Sequence, residues 1–65
     1  MVTLHISHKQ EPENVIKIIK GFLQKNMSVT IDPTNAKTSR KLLKEIREQG
    51  IEQVVVQSNK IHISP

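Results

Sequence analysis

The spacing of apolar residues changes along this chain from one period to another, and that succession limits the folds it can form. Val2, Leu4 and Ile6 alternate with polar residues, which is the period of a half-buried β-strand. Residues 12–23 then follow a helical period, and they start with a proline that a first helical position tolerates. The apolar face of this first helix is expected to hold Val15, Ile16, Ile19, Phe22 and Leu23.

A second strand and a second helix follow in the same order. Residues 27–32 alternate again, and Asn26 before them suits a left-handed helix end. Thr34 or Asn35 can cap the second helix, and Gly50 stands just after it, where helices commonly end in glycine. The buried face of this helix is expected to hold Ala36, Ser39, Leu42, Leu43 and Ile46.

Two short strands at residues 54–56 and 61–63, with a turn between them, complete the chain. The order β-α-β-α-β-β predicts an α/β two-layer sandwich with a four-stranded mixed sheet in the order 1-2-4-3. Right-handed crossovers place both helices on one face of that sheet. We expect residues 1–65 to form a single domain.

The other face of the sheet is expected to face solvent, because its strands alternate instead of forming continuous apolar runs. Only His5 and His62 would present rings there on which a nucleic-acid base could stack. Solvation alone accounts for such a polar face, and packing of two copies through it would give a homodimer. The outward positions are Thr3, His5, Ser7, Ser28, Thr30, Gln53, Val55, Gln57, Lys60 and His62.

Composition removes several classes of function. The 65 residues include no cysteine, so the chain has no disulfide framework, thiolate metal site or thiol nucleophile. No apolar run approaches the roughly 18 residues of a membrane span, and the N-terminal residues lack the features of a signal peptide. We therefore expect a cytoplasmic protein without a membrane partner.

The strongest functional feature is a line of cations on the second helix, which holds half of the ten basic residues of a chain with net charge +4. At helical spacing these five residues fall within a sector of about 120°. Such a line can neutralise several phosphates, so it predicts binding of nucleic acid, RNA or DNA, or of the ribosome, that weakens as salt rises, with Lys9 as a further contact. We call this set the basic stripe; it consists of Lys37, Arg40, Lys41, Lys44 and Arg47.

The same helix face has a simpler interpretation. Glu48 lies within the sector and Glu45 at its edge, so Lys41 can pair with Glu45 and Lys44 with Glu48. Solvation alone would account for such a face without any partner, and these pairs add weight to that interpretation.

The loops that leave the first two strands form another candidate site. In open α/β sheets, ligands favour the carboxyl ends of the strands and the helix N-termini, so these loops could hold a phosphate. Capping and turn formation explain the same residues, and no phosphate-loop motif is present. The loop residues are His8, Lys9, Asp32, Thr34, Asn35, Lys37, Thr38 and Ser39.

The sequence predicts no enzyme, no metal site and no cofactor. His5, His8 and His62 lack the spacing of metal ligands. In the predicted strand order a full strand separates His5 from His62, which puts them about 10 Å apart, too far for one metal ion. Asp32 is the one carboxylate at a strand end, and Asp-Pro there is ordinary turn chemistry.

The topology of the whole chain, rather than any residue motif, resembles the C-terminal domain of bacterial translation initiation factor three. It is also similar in outline to the archaeal chromatin proteins of the Alba family. Both resemblances imply nucleic-acid binding, the first on the ribosome. The short loops and regular patterning are also similar to de novo designed proteins of this fold. The alternative functions are therefore a designed scaffold without natural function and a protein–protein interaction or homodimerisation module, and we expect a monomer or weak homodimer.

Overall fold

Each stretch of strand or helix spacing forms the element that its spacing predicts. The computed structural model describes residues 2–65, which contain two helices and four strands in the predicted order. The largest difference lies at the second strand, which begins two residues later than predicted. The elements are β1 Val2–Ile6, α1 Pro12–Gln24, β2 Val29–Pro33, α2 Ala36–Glu48, β3 Val54–Gln57 and β4 Lys60–Ile63.

Both helices end in the same hydrogen-bonded turn, with a left-handed residue just after the last helical turn. After α1 this residue is Asn26, at φ 61°, and the N–H of Met27 donates to the carbonyl of Phe22. After α2 it is Gly50, at φ 76°, and the N–H of Ile51 donates back into the helix in the same way. The predicted helix ends are confirmed. Because the N–H of Met27 takes part in the turn that ends α1, β2 starts two residues later than predicted.

The four strands form one mixed sheet in the predicted order β1-β2-β4-β3. β1 and β2 are parallel, whereas β4 runs antiparallel to both β2 and β3. The two helices contact each other and cover one face of the sheet, α1 against β2 and α2 against β2 and β4. The fold is therefore the expected α/β two-layer sandwich.

The core lies between the helices and the sheet and is aliphatic. Ile19 of α1, Ile31 of β2 and Ile46 of α2 are fully buried, and Phe22 packs at the margin. These contacts fix which side of each helix faces outward. The buried cluster consists of Ile6, Val15, Ile16, Ile19, Val29, Ile31, Leu42, Ile46, Ile61 and Ile63.

The buried face of α2 differs from the predicted one at two positions. Ala36 is exposed, because it begins the helix ahead of the turns that contact the sheet. Thr38, which was not predicted to be buried, is only 6% exposed, and it lines one cavity with Pro12 at the start of α1. Helical spacing alone could not show how the start of α1 is placed relative to α2 in space.

The open face of the sheet is less solvated at its centre than predicted. Thr30 was expected to be exposed to solvent on this face. That expectation is wrong, because the residue is only 5% exposed. It lies in a central strand between Thr3 and His62, its cross-strand neighbours. The Oγ1 atom of Thr30 lies 3.0 Å from Nδ1 of His62, and this contact covers the hydroxyl.

The edge strand β3 carries exposed apolar residues on both faces. Val55 on the open face is 61% exposed, and Val56 on the opposite face is 48% exposed. Val56 stays accessible because the helices pack mainly over β2 and β4, which leaves β3 at the margin of the helical layer.

Candidate nucleic-acid interface

α2 presents its basic side outward because its other side is held by the core. Leu42 and Ile46 are buried against the sheet. Asn35 is the capping residue, as one of the two predicted alternatives had it, and its Oδ1 accepts the N–H of Thr38 at 2.8 Å. Thr34 does not fill that position. The helix is therefore fixed at its start and along its inner face.

The structure places all five residues of the basic stripe on the exposed surface of α2. From its first member, Lys37, to its last, Arg47, the stripe runs about 15 Å along the helix, at 1.5 Å per residue. The side chains point away from the buried face, because the stripe and the buried residues occupy opposite sectors of the helix. The predicted arrangement of the stripe is confirmed.

The ion pairs that would neutralise this stripe do not form. Among residues 2–65, one acid–base contact lies within 4 Å: it joins Nδ1 of His5 to Oδ2 of Asp32 at 3.2 Å, between β1 and β2. Neither Glu45 nor Glu48 pairs with a lysine of α2 in the described part of the chain. The simpler interpretation, a solvated helix face, therefore loses the support that such pairs would have given it.

A cavity of about 420 Å³ lies where the loop after β1 meets the first turns of α2. We call it the N-terminal cavity. Its apolar walls are Pro12 of α1 and Leu42 of α2. Its polar lining consists of His8, Gln10, Asn35, Lys37, Thr38 and Lys41.

The basic stripe divides between this cavity and a second depression. Lys37 and Lys41 line the N-terminal cavity. Arg40, Lys44 and Arg47 line a more open depression of about 330 Å³ on the other side of the helix surface, together with one leucine and one glutamate. The stripe can thus contact an extended polyanion along its length and a compact anion at its start.

Lys9, the sixth predicted contact, lies beside the cavity rather than in its lining. It is exposed in the turn after β1, where its N–H donates to Oγ of Ser7 and the N–H of Ser7 donates to Oε1 of Gln10. His8 lines the cavity instead. Sequence reasoning placed His8 in the right loop but did not assign Lys41 to the same site. The signal was present, since Lys41 follows Lys37 by one helical turn.

The histidines do not converge on a metal. No group of three metal-ligating side chains occurs within residues 2–65. β2 lies between the strands that carry His5 and His62, so the predicted separation of these two residues by a full strand is confirmed. Each is engaged with β2, His5 with Asp32 and His62 with Thr30.

No protein-family model, curated protein or solved structure matches the chain. Within residues 2–65, no helix has both the length and the apolar character needed to cross a membrane. Function must therefore be inferred from the charges and cavities of the chain itself.

Proposed function

We propose that the protein binds nucleic acid, RNA or DNA, through contacts between phosphates and the basic stripe. The observation that carries this proposal is the set of five exposed cations on α2 that are without an ion-pair partner in the described part of the chain. A cation that is already paired with a carboxylate must give up that ion pair when it binds a phosphate. The five cations of the basic stripe have no such ion pair to give up within the described residues.

The chemistry of the stripe suits binding without sequence preference. Duplex DNA carries one charge per about 1.7 Å of its axis, so a stripe about 15 Å long can face several phosphates at once. Phe22, the one aromatic residue, packs against the core and offers no stacking platform for bases. Affinity should therefore depend on charge, and it should fall as salt displaces the protein from the phosphates.

Fluorescence anisotropy with a short mixed-sequence duplex tests this proposal. Each phosphate contact contributes about −0.9 to the slope of log K against log salt for duplex DNA. If three to five cations make contact, affinity should fall about 40- to 500-fold between about 50 mM and 200 mM salt. Absence of binding, or a slope near zero, would contradict the proposal.

A matched pair of variants separates the stripe from general charge. Arg40→Gln with Lys44→Gln removes two cations from the stripe, and we expect the affinity to fall about tenfold or more. Lys17→Gln with Lys25→Gln removes the same charge from a depression on α1 and should have a much smaller effect. Thermal melting of both variants verifies that the fold is intact. Equal losses in the two variants would assign binding to net charge alone.

Self-association is a second candidate, favoured by the edge strand β3. An unpaired strand edge is a template for pairing with another chain, and Val55 and Val56 carry no charge that would discourage it. Sedimentation velocity over a range of concentrations tests this candidate. A concentration-dependent dimer that Val55→Lys abolishes would support it, and a monomer throughout would exclude it.

A designed scaffold without natural function is the remaining alternative. Designed proteins with idealised geometry are typically hyperstable, whereas a natural domain usually melts at about 45–65 °C. A melting temperature below about 70 °C would therefore count against design.

A further inference from the structure

We propose that the N-terminal cavity binds the phosphate group of a nucleoside monophosphate, either free or as the terminal nucleotide of a strand. Binding of a strand end rests on the proposed function, whereas binding of a free nucleotide does not. The two sources present the same chemical group, a phosphomonoester attached to a sugar and a base.

The charge of the cavity favours an anion. The side chains of Lys37 and Lys41 line it from α2, and His8 lines it from the opposite loop. None of the lining residues is a carboxylate. Glu11 and Glu13 lie at the start of α1, but both are exposed and neither lines the cavity. An anion that enters therefore meets two lysines from α2 and an imidazole from the opposite loop, without an acidic side chain in the wall.

A buried hydroxyl supplies a second, independent indication of a ligand. Thr38 is only 6% exposed and lines the cavity, and its hydroxyl has no hydrogen-bond partner within residues 2–65. No fully buried polar side-chain atom of these residues lacks a partner, so the hydroxyl is not sealed from solvent, and the cavity is the opening that Thr38 lines. A buried side chain that presents a free donor to a basic cavity is suited to a phosphate oxygen.

Main-chain donors lie at the same place. The Oδ1 atom of Asn35 satisfies the N–H of Thr38, and the main-chain oxygen of Asn35 satisfies that of Ser39. The N–H groups of Ala36 and Lys37 precede the first intrahelical bond and stay available, as the first N–H groups of any helix do. The positive end of the α2 dipole therefore adds to the two lysines and the threonine hydroxyl.

The cavity has room for more than a bare phosphate. Its volume of about 420 Å³ falls in the range of small-molecule sites, roughly 300–1,000 Å³. Pro12 and Leu42 give it apolar walls beside the cationic end. A phosphate would occupy the cationic end, and the attached sugar and base would cover the apolar walls.

Titration of the ¹⁵N-labelled protein with AMP, and separately with adenosine, tests the assignment. We expect AMP to shift the amide signals of Ala36, Lys37 and Thr38, and we expect adenosine, which lacks the phosphate, to bind at least tenfold more weakly. AMP that leaves these amides unmoved would overturn the proposal, whatever the result with long nucleic acids.

Variants at two positions in the cavity and at one position outside it separate this site from the rest of the stripe. Thr38→Val keeps the shape of the buried side chain and should weaken AMP binding about tenfold or more, and Thr38→Ser should restore it. His8→Ala changes an exposed loop and should weaken AMP binding without unfolding the protein. Arg47→Gln lies outside the cavity and should leave AMP affinity unchanged while it lowers the affinity for duplex DNA. If Thr38→Val and Arg47→Gln reduce AMP affinity equally, the cavity assignment is wrong.

Oligonucleotides with a 5′-phosphate or a 5′-hydroxyl distinguish the two sources of the phosphomonoester. Tighter binding of the 5′-phosphorylated strand, lost in His8→Ala, would assign the cavity to a strand end. Equal binding of the two strands, with AMP still bound in the cavity, would assign it to free nucleotides. Nucleic-acid binding could fail altogether while AMP binding persists, so the two proposals can fail separately.

Discussion

The turn between β3 and β4 should gain stability from two substitutions. Gln57 and Lys60 are directly paired, so the turn has only two central residues, Ser58 at φ 51° and Asn59 at φ 63°. Both are left-handed, which defines the two-residue turn that favours Asn-Gly. A left-handed conformation costs an ordinary L-residue about 1–2 kcal/mol, asparagine less, and glycine almost nothing.

The expected gain follows from these two positions. Ser58→Asn should recover about 0.5 kcal/mol of the cost of the left-handed conformation. Asn59→Gly should recover a similar amount, because the greater freedom of glycine in the unfolded chain offsets part of the gain. Together they amount to about 1 kcal/mol, which raises the melting temperature of a domain of this size by about 4–8 °C.

Thermal and urea denaturation followed by circular dichroism measure the effect. As a control, Ser58→Val introduces a β-branched residue that disfavours positive φ, and it should lower the stability by about 1–2 kcal/mol. If the double substitution lowers the melting temperature, or if Ser58→Val has no effect, the turn is not left-handed and the reasoning fails.

Three further predictions concern stability, all measured by urea denaturation. Gly50→Ala should destabilise the protein by about 1 kcal/mol, because Gly50 has φ 76°. Gly21→Ala should stabilise it by about 0.5–1 kcal/mol, because Gly21 lies inside α1 with open space around it. A change of the same sign for both substitutions would contradict the assigned conformations. Asn35→Ala should cost about 1 kcal/mol through loss of the α2 cap, and Asn35→Ser should recover most of it. Ile46→Val should cost about 0.5–1.5 kcal/mol because Ile46 is fully buried, and Ile18→Val, at an exposed position, less than about 0.5 kcal/mol; equal costs would mean that the core is wrongly placed.

Local spacing was sufficient to predict the elements and the strand order of this fold. Alternation around Val2 and Ile31 and the helical period around Ile19 each depend on near neighbours, and right-handed crossovers restrict how such elements can be joined. The stops at Asn26 and Gly50 were predictable for the same reason, since few residues accept a left-handed conformation.

Contacts between distant residues could not be predicted in this way. The burial of Thr30 depends on His62, which lies 32 residues further along the chain. Thr38 is buried and lines a cavity together with the start of α1, and Val56 is 48% exposed because the helices pack mainly over β2 and β4. Spacing indicates which side of an element faces inward but not how far the opposite layer extends.

In the candidate site, too, some features follow from near neighbours in the sequence and others depend on contacts between distant residues. The basic stripe follows from the sequence of one helix and could be predicted in full. The N-terminal cavity combines α2 with the loop that carries His8, and its volume depends on how the two elements pack. The loop residues were expected near the helix starts, and the spacing of Lys41 from Lys37 was present in the sequence, but only the packing shows that both lysines line one cavity with His8.

The change in salt dependence when stripe cations are removed tests the central claim most directly. For Arg40→Gln with Lys44→Gln, we expect the slope of log K against log salt on duplex DNA to become less steep by about 1.8, since each lost phosphate contact removes about 0.9. Lys17→Gln with Lys25→Gln should leave the slope unchanged. A stripe variant with the slope of the unmodified protein would show that these cations do not contact phosphates, and it would contradict the proposed function.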